Sequence, residues 1–205
     1  MKGDQQRSEE IWLRTDELNE AIKALELVQE LLPRVVNDSY YWKWVIVALH
    51  NSLQGFMVCA LQGSSKLNVL PDGVAAKWLE AYRGGSDEIP KQILDTFPNL
   101  YKKIKSERMI MYTESKKFVA KGQQDLHVRK LNRLRNQFIH YTPLGWSLEV
   151  SDLPAITRDC VEVIKFLALE SWNILYREEQ TRQDVEHLIN MVQQSIEEIQ
   201  KTYGP

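Results

Sequence analysis

Between Ser39 and Gly63 the chain reads SYYWKWVIVALHNSLQGFMVCALQG, and a helical projection puts apolar side chains on nearly every side of it. Such a helix has no face that water could wet, so it belongs at the centre of a bundle, wrapped by other helices. Asp38 or Ser39 can cap its start, and Gly63 ends it. Its polar exceptions cluster: His50 and Gln54 are one turn apart, with Asn51 beside them. Buried polar groups must find partners, so two readings stay open: a patch satisfied within the core, or one that faces a site. The most apolar window of the chain, Val45 to Leu61, holds His50, Asn51, Ser52 and Gln54. Those residues argue against a membrane span.

The wrapping helices are legible on either side. Thr15 or Asp16 can cap a first helix with Leu18, Ala21, Ile22, Leu25, Val28 and Leu32 on one face, stopped by Pro33. The preceding Ile11, Trp12 and Leu13 form a short apolar anchor suited to a partner chain. From 63 to 123 regularity fades. The turn clusters Gly63-Ser64-Ser65, Pro71-Asp72-Gly73 and Arg83-Gly84-Gly85-Ser86 separate short helices around Val74–Tyr82 and Pro90–Lys105. The lysine-rich segment up to Gly122 reads as a mobile or partly disordered loop. No separate core-sized apolar pattern occurs there, so 63–123 is an insertion within one domain spanning 1–205. An amphipathic helix follows from Gln124, and then Trp146, Leu148 and Val150 alternate in a brief extended segment. Ser151, Asp152 and Pro154 start a helix reaching about Tyr176. Gln180 or Thr181 opens a last helix with Val185, Leu188, Ile189, Val192, Ile196 and Ile199 on one stripe, suited to the bundle or to a second subunit. The expected fold is all-α, an antiparallel bundle of about five main helices.

Composition adds limits. Cys59 and Cys160 lie in apolar helical runs and read as buried, reduced thiols. No apolar run follows Met1, so no signal peptide is expected, and the chain reads as cytoplasmic. The formal net charge of −2 hides an asymmetry: from Tyr101 to Arg135 eleven Lys or Arg face three acids. Such a block suits a phosphate-contacting surface, with Lys116, Lys117, Lys121, Arg129 and Arg133 as candidate RNA contacts. The alternative is a solvated loop whose lysines offset acids elsewhere. HExxH, metal-ligand Cys/His spacing, a Walker A loop, GxGxxG and GxSxG do not occur. No metal or cofactor is expected.

The chemistry concentrates in RNQFIH, Arg135 to His140. At 100° per residue, Leu134, His127, Phe138, Leu131, Arg135, Val128 and Ile139 share one arc. Arg135 therefore sits inside the apolar stripe, while Arg129 and Arg133 point away. An arginine cannot shed its charge, and burying it unpaired is costly. A carboxylate, a set of carbonyls, a wet cleft or an anionic ligand must compensate. Pro143 disfavours α geometry at Thr142, so the helix ends at about His140 or Tyr141, where its C-terminus favours an imidazolium.

A helical arginine, a polar residue directly after it, and a histidine at the helix end resemble the signature of the HEPN superfamily, small all-helical proteins of which many are ribonucleases. Arg135, Asn136 and His140 match that motif with a four-residue gap. The resemblance implies a homodimer with arginine and histidine of both chains facing one groove. It also implies metal-independent endoribonuclease activity in a toxin or defence setting, through the 2′-hydroxyl of RNA. The second helix of such proteins often carries a polar, commonly acidic, residue facing the pair; the nearest counterpart is Gln54, which has no charge. An antitoxin or nucleotidyltransferase partner would be a separate polypeptide. Where a partner transferase modifies a tyrosine in this family, it lies two residues past the histidine. Here that position is Thr142 and Tyr141 comes too early, so that regulation is not expected. The rival readings are a non-catalytic helical module that binds RNA, a nucleotide or a protein through Arg135, and a purely structural Arg135.

Overall fold

The described residues form seven α-helices, short 3-10 turns and one π-turn: α1 (Glu17–Leu31), α2 (Trp42–Gln62), α3 (Asp72–Tyr82), α4 (Phe97–Ile104), α5 (Gln124–Ile139), α6 (Leu153–Lys165) and α7 (Glu179–Tyr203). The structure, a computed structural model, describes residues 11–84, 90–140, 143 and 145–203, and among these there is no strand. Gly85, Ser86, Tyr141 and Thr142 lie outside them. The fold is an all-α bundle in which α1, α2, α5, α6 and α7 are the principal members.

α1 and α2 form a hairpin. Asp16 caps α1, its carboxylate accepting from the Asn19 N–H at 2.8 Å. Pro33 ends the α geometry, yet the chain continues as a 3-10 turn over Leu32–Val36. Asp38 accepts from the Tyr40 N–H at 2.9 Å and so caps a short 3-10 turn that leads into α2. α2 is buried on most sides and stops at Gly63, whose φ of +50° suits a residue without Cβ. With the turn before it, it is long and apolar enough to cross a membrane, but 67 % of its most apolar 18-residue stretch is buried inside the fold. α1 lies so near that a Cβ on Gly55 would come within 2.7 Å of the Ala21 Cβ.

Pairings along α5, α6 and α7 run in opposite directions. Lys130 meets Asp152 at 3.3 Å and His127 meets Asp159 at 2.6 Å, which makes α5 and α6 antiparallel. Arg158 reaches Gln200 at 3.0 Å and Gln193 bonds Glu162, which does the same for α6 and α7. The α7 stripe is buried in its own bundle at Val185, Ile189, Val192, Ile196 and Ile199, settling the choice between bundle and second subunit. Both cysteines are buried and free, and burial pushes the Cys59 thiol up to about 12.

Three expectations need correction. The helix predicted to reach Tyr176 keeps α geometry only to Lys165, then makes a π-turn over Phe166–Glu170. Asn173 explains the stop: its buried amide donates to the carbonyls of Ala60 at 3.0 Å and Met109 at 2.8 Å. The helix predicted over Pro90–Lys105 is regular only from Phe97. Asp95, just before it, accepts from Thr96 N–H and the Asn99 amide and pairs with buried Lys103 at 2.6 Å. Burial pushes the Asp95 carboxyl up, but these donors outweigh it and hold it below the usual range. Lys103 also donates to Leu70 O at 2.5 Å. The lysine-rich segment predicted to be mobile is tied down: Lys116 N–H donates to Ser171 O, Phe118 N–H donates to Ile104 O, and the Phe118 ring is buried.

The α1–α2 contact yields a direct test. Gly55→Ala forces the hairpin apart and should cost about 1–3 kcal/mol in urea unfolding, as overpacking does. Adding Ala21→Gly should recover part of that loss. A stable Gly55→Ala single variant would show that the helices separate freely.

Candidate functional site

α5 carries the site because its buried face is short of apolar residues at one place. His127, Val128, Leu131 and Leu134 are buried, and Arg135 continues that face half-buried at the edge, while Arg129 and Arg133 are exposed. Ile139 departs from its expected place on the stripe and is also exposed. The Arg135 Nε is out of contact with water and without a hydrogen-bond partner. One terminal nitrogen donates to Asn136 Oδ1 at 3.0 Å. Among the described residues no carboxylate lies within ion-pair distance of it. The core acid that would make this arginine structural is missing from these residues.

α5 ends at Ile139, as the proline two residues past Tyr141 predicts. His140 still donates its N–H to Asn136 O at 2.9 Å, then leaves the helix with φ −101° and ψ 88°. Its side chain is exposed.

Behind the arginine lies His50 of α2, only 2 % exposed. Its Nε2 is 3.0 Å from Asn132 Oδ1, and its ring stacks on Phe97 with centroids 4.1 Å apart. Burial pushes its pKa down to about 4; the Asn132 bond opposes this, and the Arg135 charge adds to it. The ring is therefore neutral at physiological pH. With an amide oxygen as acceptor it carries its proton on Nε2, leaving a buried, unpartnered Nδ1. Asn132 is the residue that sequence reasoning missed. It sits one turn before Arg135, and that i, i+3 spacing was the available signal.

The polar patch foreseen on α2 divides. His50 belongs to the α5 side. Asn51 and Gln54 border a separate groove of about 920 Å³ with Asp16, Lys23, Leu27 and Ile93. The basic block divides as well. Lys103 pairs with Asp95, Lys105 with Asp125, Arg108 with Asp72, Lys117 with Glu107 and Lys130 with Asp152. For these cations the reading as charges that offset acids holds. Arg129 instead lines a groove of about 290 Å³ between α4 and α5, with Lys102, Lys105, Phe97 and Asn132. Arg133 is exposed one turn further along α5, and Lys116 is exposed on the segment before Phe118. Lys121 borders another hollow, beside His127, Asp152 and Asp159. The five candidate RNA contacts thus do not share one track.

Neither a protein-family model, nor a curated protein, nor a solved structure matches the chain. The site is therefore read from its own geometry.

The His50 environment has a pH signature. Its folded pKa of about 4 lies below the ordinary 6.5, so the unfolded chain binds more protons between those values. Stability should be full above about pH 6.5 and fall as pH drops toward 4, by at most about 3 kcal/mol. The carboxyls of Asp72, Asp95 and Asp125, all held low, lose their contributions only below their ordinary value of 3.8. Urea titrations from pH 4 to 7 should show a shallower slope for His50→Gln than for wild type. Equal slopes would mean that His50 is not buried as a neutral ring.

Proposed function

We propose that this protein is a metal-independent endoribonuclease of the HEPN type, with Arg135, Asn136 and His140 as its reacting centre. One observation carries the reading: a half-buried guanidinium with a spare donor and no carboxylate partner among the described residues, five residues from an exposed histidine at a helix end. A charge left unneutralised by the fold is suited to an anion from outside it, and a guanidinium holds a phosphate bidentately.

The chemistry follows from these groups. His140 accepts the proton of the RNA 2′-hydroxyl as its oxygen attacks phosphorus. The P–O5′ bond breaks and the leaving oxygen takes a proton from solvent, giving a 2′,3′-cyclic phosphate and a free 5′-hydroxyl, after which His140 returns its own proton to solvent. Arg135 balances the charge that builds on the phosphoryl oxygens. Asn136 steers the guanidinium through its side-chain oxygen. His50, kept neutral, adds no competing charge behind it.

A second copy of the chain completes the proposal. Five helical residues put Arg135 and His140 about 140° apart on an ideal helix. The helix end at Ile139 corrects only part of that angle. A two-fold contact would bring both copies of the motif to one axis. The protein would act in the cytoplasm as a toxin or defence nuclease, with any antitoxin or nucleotidyltransferase a separate chain. The basic α4–α5 groove would equally serve a module that binds RNA without cutting it, and cleavage separates the two.

With EDTA present, His140→Ala and Arg135→Ala should each lose about 10²–10⁴ in cleavage rate. Stability should change by no more than about 0.5 kcal/mol for the exposed histidine. Mixing the two inactive chains after denaturation should restore part of the activity. Undiminished cleavage by His140→Ala, or cleavage only with added metal, would sink the mechanism.

The groove has its own test. Neutralising Lys102, Arg129 and Arg133 should flatten the slope of log affinity against log salt by somewhat under one unit per lost phosphate contact. Neutralising the acid-paired Lys117 and Lys130 should leave the slope unchanged. Equal effects from both sets would mean that the groove is not the RNA path.

A further inference from the structure

Where the last turn of α5 meets the start of α2, a concave slot of about 510 Å³ opens beside the RNQFIH segment. Four aromatic rings line it: Tyr40, Trp42, Phe138 and Trp146. Trp42 is fully buried and belongs to the floor, its indole N–H tied to Tyr203 Oη at 3.0 Å. Tyr40 and Trp146 stand at the rim, 66 % and 49 % exposed, and Trp146 leans on Phe138 with ring centroids 5.1 Å apart. Leu148 and Val150 add aliphatic wall.

The rim is polar in a particular way. Gln137 presents an exposed amide that makes no hydrogen bond to the described residues, offering a donor and an acceptor side by side. Asp38 spends Oδ1 on the Tyr40 N–H, which leaves its second oxygen to accept. Ser39 adds a hydroxyl. The Lys43 side chain borders the slot, its ammonium 4.8 Å from the Trp44 ring and 5.9 Å from the Tyr40 ring.

We propose that this slot holds one unstacked nucleobase of single-stranded RNA, next to the phosphate that Arg135 binds. The inference rests on the nuclease reading for its choice of nucleic acid. A flat heterocycle needs ring faces to stack on and edge groups to hydrogen-bond, and the slot supplies both. Its volume lies within the range of small-ligand pockets. Position supports the same occupant. Phe138 and Gln137 precede His140 by two and three residues, so the slot adjoins the same last turn of α5 that carries the reacting residues. The Asp38 acceptor favours bases bearing an exocyclic amine over uracil.

Binding can be read apart from cleavage with a labelled 2′-O-methyl hexanucleotide, which has no free 2′-hydroxyl to attack. By fluorescence anisotropy, wild-type protein should bind the base-bearing strand about tenfold more tightly than the same backbone made abasic. Trp146→Ala should erase that preference and leave abasic affinity unchanged, while Trp146→Phe should keep most of it. Tyr40→Ala repeats the measurement at the other side of the rim should Trp146→Ala melt early. Equal binding of the two strands by wild type overturns the proposal, as does a preference that survives both alanine variants. Sedimentation showing that Trp146→Ala dissolves a dimer, with strand preference intact, assigns the slot to a second copy and overturns it too. Cleavage of unmodified RNA judges the nuclease reading separately. Base preference without cleavage keeps the slot and removes the nuclease, and cleavage without base preference does the reverse.

Discussion

The constraint on which the rest of the structure depends is a 21-residue helix with almost no wettable face. Every neighbour of α2 exists to cover part of its circumference. α1 does so at close range, because Gly55 faces Ala21 with no side chain between them beyond one methyl. α5 and α6 cover other sides, and α4 with the turn before α3 closes much of what is left. Burying a surface of this kind is worth roughly 25 cal/mol for each Å² of apolar area. The helices of the bundle are thereby held by one shared partner, and α7 is held mainly through α1 and α6, touching α2 where Trp42 bonds Tyr203.

Polar groups trapped by that burial shape the irregular third of the chain. Lys103 and Asp95 form an ion pair in which both side chains are nearly inaccessible. Desolvating such a pair costs several kcal/mol for each ion. Hydrogen bonds to Leu70 O, Thr96 N–H and the Asn99 amide offset the cost. Asn173 acts in the same manner, joining the end of α2 to the turn at Met109 and, through Ser115, to the lysine-rich segment. These contacts fasten 63–123 to the bundle by specific polar bonds, aided by a few apolar anchors such as Leu100, Ile104 and Phe118.

That difference in cause explains what was legible beforehand. α1 and α7 show their apolar periodicity over many turns, α2 is apolar on nearly every side, and Asp16 advertises its cap, so local sequence was enough. The end of α6 was not legible, because Asn173 finds its partners at Ala60 and Met109, distant in sequence. The same holds for the segment before α5, where lysines signal solvent while the backbone is tied down by Ile104 and Ser171. At the site, phase on α5 put Arg135 inside the apolar stripe; its half-buried place at the edge was not legible, because Ile139 beyond it is exposed. Nor was the division of His50 from Gln54. They are about 40° apart on α2, and only the positions of α1 and α5 decide that a boundary falls between them.

Burial of α2 also sets the electrostatics of the candidate site. A guanidinium in open water attracts an anion weakly, since the interaction scales inversely with the local dielectric constant. Half-burial of Arg135 strengthens that attraction, but only if no second cation shares the space and no carboxylate takes the anion's place. Protonated His50 would be such a cation. Its burial on the helix the bundle is built to cover outweighs the opposing Asn132 bond, holds its pKa near 4 and keeps the ring neutral. No carboxylate among the described residues lies within ion-pair distance of Arg135, and Asp95, two residues before Phe97, is engaged by Lys103. The proposed anion site therefore rests less on added positive charge than on the removal of competitors, and the apolar helix that organises the fold performs the first of those removals.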